Sequence, residues 1–148
     1  MKRIFLDANV VIDLLGERYP WFPDALRIFN LGDLGKVKLI CSSLSLGTAS
    51  YIMETKKMSS ADIFEGIDLL CQICDVAAVD ATVVRKSLDS SFTDFEDALQ
   101  YFSALAVDAD VIVTRNEDDF EHSEIPVYNP SQFLALMEGE QNKYPPQP

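Results

Sequence analysis

FTDFEDALQYFSALAVDADVIVTRNEDDF, residues Phe92–Phe120, is the stretch whose reading decides the fold. It opens with three closely spaced carboxylates, Asp94, Glu96 and Asp97, and continues with Ala98, Phe102, Leu105 and Ala106 at helical spacing. That pattern predicts an amphipathic helix from about Asp94 to Val107. Val111-Ile112-Val113 then forms a short apolar run that stops at polar residues, as a buried strand does. The N-terminus repeats this second half: Arg3-Ile4-Phe5-Leu6 is apolar and ends at Asp7-Ala8-Asn9. If both runs are buried parallel strands, their carboxyl ends share one edge of one sheet, the edge where open α/β folds bind ligands. Acidic groups gathered there point to a site for a hard cation.

Outward from these two strands the chain alternates. A helix is expected at Asn9–Leu15, a loop through Pro20 and Pro23, a helix from Asp24 to about Leu34, and a strand at Lys38–Cys41. Helical patterns follow at Leu44–Lys56 and after Ser59, then a strand at Asp75–Val79 and a helix at Ala81–Leu88. An edge strand at Pro126–Tyr128 and a last helix from Gln132 to about Met137 complete the series. Strands alternating with helices argue for a parallel sheet covered on both faces. The reading is one domain over residues 1–138, with a disordered tail at 139–148 that carries three prolines.

Composition narrows the function. The chain has 148 residues, 48% of them hydrophobic, enough to bury one sizeable core. No apolar run approaches the roughly 20 residues of a membrane span, and MKRIFLDAN lacks the long apolar segment of a signal peptide; the expectation is a cytoplasmic protein with no membrane partner. Cys41, Cys71 and Cys74 are too few for a disulfide framework. With His122 the only histidine, tetrahedral zinc is hard to assemble; Cys71 and Cys74 read as two small apolar residues one turn apart on a helix. The formal net charge of −12 argues against binding nucleic acid by charge alone, but a metal-dependent nuclease can offset its own acids locally.

Thr93-Asp94-Phe95-Glu96 fits a capping box, with Thr93 at the cap and Glu96 reaching back, so Glu96 and Asp94 have a structural explanation. Asp97, one turn after Asp94, has less of one. Asp7 is the strongest candidate, because a carboxylate directly after a buried strand is costly unless paired or bound to a cation. The competing reading makes Asp7 a helix cap. Asn9 either orients Asp7 or caps the same helix, and Asp13 reads as a solvated helix residue. After Val113, Thr114 and Asn116 reach the same sheet edge; Asn116 offers a carbonyl oxygen or a water contact, with Asp118 and Asp119 as anionic neighbours. Trp21 and Phe22, flanked by prolines, offer either core packing or an apolar contact surface for a homodimer.

LDANVVID, DFEDALQYFSALAVDADVIVTRNEDDF and PVYNPSQFL, in that order across nearly the whole chain, resemble the PIN domain family, and within it the VapC-like toxins of bacterial toxin–antitoxin pairs. The resemblance implies a three-layer α/β/α sandwich with a mostly parallel sheet of four to five strands. It also implies Mg²⁺- or Mn²⁺-dependent ribonuclease activity on an RNA substrate, and a small antitoxin protein as partner. By position, Asp7 and Asp97 match the family's first acid and helix acid, Asp119 matches the Asp-Phe that follows the fourth strand, and Asn116 and Thr48 are neutral where many members have acids. The resemblance thus implies Asp7, Asp97 and Asp119 as catalytic groups and Asp7, Asp97 and Asn116 as metal ligands, with Asn9, Thr48, Asp94 and Thr114 in support and one ion rather than two. The alternative is a PIN-fold binding or regulatory protein with little or no nuclease activity. A phosphoryl-accepting receiver domain would need a lysine after the last strand, where the chain has Pro126-Val127-Tyr128-Asn129.

Overall fold

The computed structural model describes residues 1–143. Five strands form one sheet: β1 (Arg3–Leu6), β2 (Lys38–Ser42), β3 (Cys74–Ala77), β4 (Val111–Val113) and β5 (Val127–Tyr128). Their order is β3-β2-β1-β4-β5, and every neighbouring pair is parallel. Seven helices connect them among the described residues: α1 (Ala8–Leu15), α2 (Phe22–Asp33), α3 (Ser43–Thr55), α4 (Ser60–Ile73), α5 (Ala81–Leu88), α6 (Phe95–Ala106) and α7 (Pro130–Lys143).

The central strands carry near-continuous apolar runs, Ile4–Leu6, Leu39–Cys41 and Val111–Val113, because both faces are covered. Successive side chains point to opposite faces: Ile4 and Leu6, Leu39 and Cys41, and Val111 and Val113 enter one core with residues of α1, α2, α3, α4 and α7. Phe5, Ile40 and Ile112 enter the other, against Tyr101 and Ala104 of α6, with α5 packed beside α6. This is the expected three-layer arrangement. Helix α2 lies so close to β2 that a Cβ on Gly32 would fall 2.5 Å from the Leu39 side chain.

Several boundaries move from the sequence reading. Helix α2 begins at Phe22 rather than Asp24, with Pro23 in its first turn, where a missing N–H costs nothing. Strand β3 starts at Cys74, so Cys71 and Cys74 do not share a helix; Cys71 is exposed on α4 and Cys74 buried in the sheet. Helix α7 runs to Lys143 instead of stopping near Met137. Residues 144–148 of the expected tail lie outside the described residues. No helix among the described residues is long and apolar enough to cross a membrane.

The sheet order places the site. From β1 the chain proceeds outward through β2 and β3, then returns to add β4 and β5 on the other side. The crevice outside the carboxyl ends of β1 and β4 is therefore the topological switch point, where side chains following the two strands face one another.

Candidate active site

Asp7 follows β1 at this switch point. Its backbone N–H donates to Val113 O at 3.0 Å, which prolongs the β1–β4 pairing by one residue. Its carboxylate, only 6% exposed, caps α1 by accepting from the Ala8 N–H at 2.8 Å. The same Oδ1 accepts from Gln100 Nε2 at 3.0 Å, and Oδ2 accepts from Thr114 Oγ1 at 2.8 Å and Asn9 Nδ2 at 3.4 Å. The capping reading of Asp7 is thus met, and the same carboxylate stands at the switch point. All four donors are neutral, so they orient the carboxylate without supplying a countercharge. Three are close and the fourth is long, which leaves capacity for one further electropositive partner.

Gln100 is the group the sequence reading missed. It sits on the buried face of α6, 1% exposed. Asp7 can only accept, so the amide must turn its NH₂ toward it; Nε2 also donates to Ser45 Oγ at 2.8 Å, and Oε1 accepts from Ser42 Oγ at 2.5 Å. Ser42 in turn caps α3 through the Ser45 N–H. The network joins the carboxyl ends of β1 and β2 to α6 beneath the site. No local signal marks it: Gln100 lies one turn beyond Asp97 on α6, and its burial follows from partners on other elements.

The helix that carries Asp97 starts one residue later than the capping-box reading places it. Asp94, not Thr93, is the N-cap, and its Oδ1 accepts from the Asp97 N–H at 2.9 Å. Aspartate caps as well as threonine, and the shift puts Asp97 rather than Glu96 at the third helical position. Asp97 is half-buried beside the cleft, and its carboxyl is pushed up to about 7 by burial first, then by the carboxylates of Asp119, Asp94, Asp7 and Glu96. A helix N-terminus favours an anion by only about 0.3–1 kcal/mol, less than one pKa unit, so repulsion and burial win. Asp119 shifts up for the same reasons, burial and the carboxylates of Asp7, Asp94 and Asp118.

Asp119 stands on the 3-10 turn Glu117–Phe120, which buried Phe120 anchors to the core. Asn116 precedes that turn, its N–H donating to Thr114 Oγ1 at 3.1 Å. Asn9 bridges the two strand ends: its Nδ2 donates to Thr114 Oγ1 at 3.1 Å and its Oδ1 accepts from the Arg115 N–H at 3.2 Å. Thr48 reaches the cleft from α3 and donates to Leu44 O of its own helix.

Asp13 is not the solvated residue expected from sequence. It is 1% exposed and takes a two-pronged bond from Arg115, Nε at 2.6 Å and Nη2 at 3.2 Å. The Arg115 guanidinium lies 3.8 Å from the centre of the Trp21 ring, so part of the expected apolar contact surface is already used within the chain.

Asp7, Asn9, Thr48, Asp94, Asp97, Asn116 and Asp119 all line one cleft of about 650 Å³; Thr114 lies fully buried just below it. Among the described residues, no three Asp, Glu, His or Cys side chains are gathered closely enough to form a ready-made metal cage. The donor chemistry nevertheless fits one hard cation. Several carboxylates share the cleft, and burial together with neighbouring carboxylates raises Asp97 and Asp119. Water would supply much of the remaining shell, as it does for Mg²⁺.

The PIN domain family model matches residues 3–118. The chain is 29% identical over 138 residues to Ribonuclease VapC1 of Aquifex aeolicus (strain VF5), covering 89% of this chain and 93% of that protein. Among solved structures, VapBC-1 from nontypeable Haemophilus influenzae superposes with a TM-score of 0.64 at 18% identity, over 87% of this chain and 98% of that one. Mycobacterium tuberculosis VapC20, described as a sarcin–ricin loop cleaving toxin, gives a TM-score of 0.57 at 15% identity, over 74% and 86%. At these identities the two structures speak to the fold alone.

Proposed function

The chain belongs to the PIN domain family, and from that premise we propose that it is a cytoplasmic, Mg²⁺- or Mn²⁺-dependent ribonuclease, the toxin-like member of a pair with a small antitoxin protein. The observation that carries this reading is the convergence of Asp7, Asp97 and Asp119 on one switch-point cleft, where burial and neighbouring carboxylates push Asp97 and Asp119 up. Its similarity to Ribonuclease VapC1 over most of both chains supports RNA as the substrate.

Asp7 and Asp97 would hold the cation, with Asn116 contributing its carbonyl oxygen or a water contact. When bound, the ion supplies Lewis-acid stabilisation of the reacting phosphate and makes water nucleophilic near neutral pH. The chain's own residues do the positioning. Gln100, Thr114, Asn9 and the Ala8 N–H hold the Asp7 carboxylate in one orientation. Burial and neighbouring carboxylates raise Asp97 to about 7 when no cation is present, and Asp119 lines the same cleft. Thr48 brings no charge, which favours one ion over two.

The test is cleavage of RNA with and without Mn²⁺. Asp7→Asn should abolish metal-dependent cleavage, by at least about 100-fold, while the far-UV circular dichroism stays that of the parent. Equal activity in both proteins sinks the assignment. The neutral Thr48 and Asn116 favour a second reading, a PIN-fold binding or regulatory protein; calorimetry that finds no Mn²⁺ binding at millimolar concentration would select it.

A further inference from the structure

The cleft is lopsided in charge. Seven carboxylates line it, and among the described residues lining it the only permanently cationic side chains are Arg18 and Arg115. Arg115 is committed, held by two bonds to Asp13 and stacked on Trp21. Arg18 is not. It projects from the loop between α1 and α2, with Nε 3.4 Å from the same Asp13 and its side chain still 28% exposed. Two guanidinium groups on one carboxylate leave one positive charge in excess at this rim. Both guanidinium groups gather on Asp13 of α1, whereas Asp97 comes from α6 and Asp119 from the 3-10 turn; the cationic rim and the acidic floor are separate parts of one cleft.

An RNA strand meeting a chain of net charge −12 is repelled almost everywhere. The cleft has the volume for a ligand of one or two nucleotides, not for a duplex. A guanidinium presents a rigid fork of donors matched to phosphate oxygens, and Arg18 is the more exposed of the two. We propose that Arg18 grips a backbone phosphate of single-stranded RNA at the α1–α2 rim, a phosphate other than the one over the acidic floor, with Arg115 and Trp21 as its rigid backing. The subsite rests on the ribonuclease reading above and sets where the strand enters the cleft.

Trp21 is the only tryptophan in the chain, and the Arg18 guanidinium lies 5.7 Å from its ring centre, so its fluorescence reports on the rim directly. The probe is a short 2′-O-methyl oligoribonucleotide, which cannot be cleaved, titrated at several low salt concentrations with Mg²⁺ present. The parent protein should bind it with a change in Trp21 emission. Arg18→Gln should weaken binding at least five-fold and flatten the plot of log K against log salt by about 0.7, the contribution of one single-strand phosphate contact. Arg18→Lys keeps the charge and should keep the slope. Arg27→Gln removes one positive charge from α2, where Arg27 pairs with Asp24 away from the cleft lining, and should change neither. Parent-like binding and slope in Arg18→Gln, or equal losses in Arg18→Gln and Arg27→Gln, overturn the subsite while leaving the ribonuclease reading standing. A parent protein that neither binds the probe nor cleaves RNA removes both.

Discussion

At the scale of single residues, Asp97 makes the cost of the site measurable. Its carboxyl rises from 3.8 to about 7 on folding, so between those values the folded chain binds a proton that the unfolded chain releases. The stability tied to Asp97 is therefore fully present below about pH 4 and lost as pH climbs through 7. Without metal, Asp97→Asn should melt higher than the parent at pH 7.5, and the gap should close at pH 4; a gap independent of pH would contradict the repulsion described here. Gln100 acts in the opposite sense. Gln100→Leu leaves Ser42, Ser45 and one oxygen of Asp7 short of partners in a buried place, and should lower the unfolding free energy by roughly 2–3 kcal/mol in denaturant titration.

Between elements, the Asp13–Arg115 pair ties α1 to the loop that follows β4 and so holds Asn116 and the Asp119 turn over the end of β1. Removing one partner of a buried pair leaves the other charge uncompensated. Asp13→Ala should cost roughly 3 kcal/mol, and a double-mutant cycle with Arg115→Ala should show strong coupling between the two. Independent, additive losses would mean that the pair does not bridge the elements. The one-residue shift in the start of α6 matters here too. With Asp94 as cap, its carboxylate holds the Asp97 N–H; Gln100, one turn further on, donates to Asp7.

For the whole molecule, the strand order β3-β2-β1-β4-β5 brings residues a hundred positions apart to one crevice. A cation bound there stabilises only the folded chain, so its effect on unfolding follows mass action: about 2.7 kcal/mol when metal exceeds its Kd 100-fold. Raising Mn²⁺ through the low millimolar range should lift the melting temperature of the parent protein progressively. The same titration of Asp97→Asn should give a much smaller rise, and equal rises in both proteins would place the ion elsewhere. The net charge of −12 makes high salt a separate stabiliser through screening, so ionic strength must be held constant.

Much of this was legible along the chain. The apolar runs at β1 and β4, their abrupt polar ends and the strand–helix alternation depend on local periodicity, which a linear sequence displays directly; they predicted the parallel sheet, the helix through Asp97 and the shared edge with Asp7. The motifs around them carried the PIN resemblance. Buried polar residues were another matter. Asp13 and Gln100 look like ordinary surface residues because burial of a polar group is set by partners distant in sequence: Arg115, about a hundred residues from Asp13, and Asp7, Ser42 and Ser45 around Gln100. The cap of α6 was ambiguous by one residue, because Thr93 and Asp94 both cap well and only the backbone turn chooses. The sequence determined the layers, the sheet edge and the acids that reach it. The tertiary structure decided how those acids are held, how strongly they repel one another, and that a cationic rim stands beside them, because each depends on distances between elements that no local pattern records.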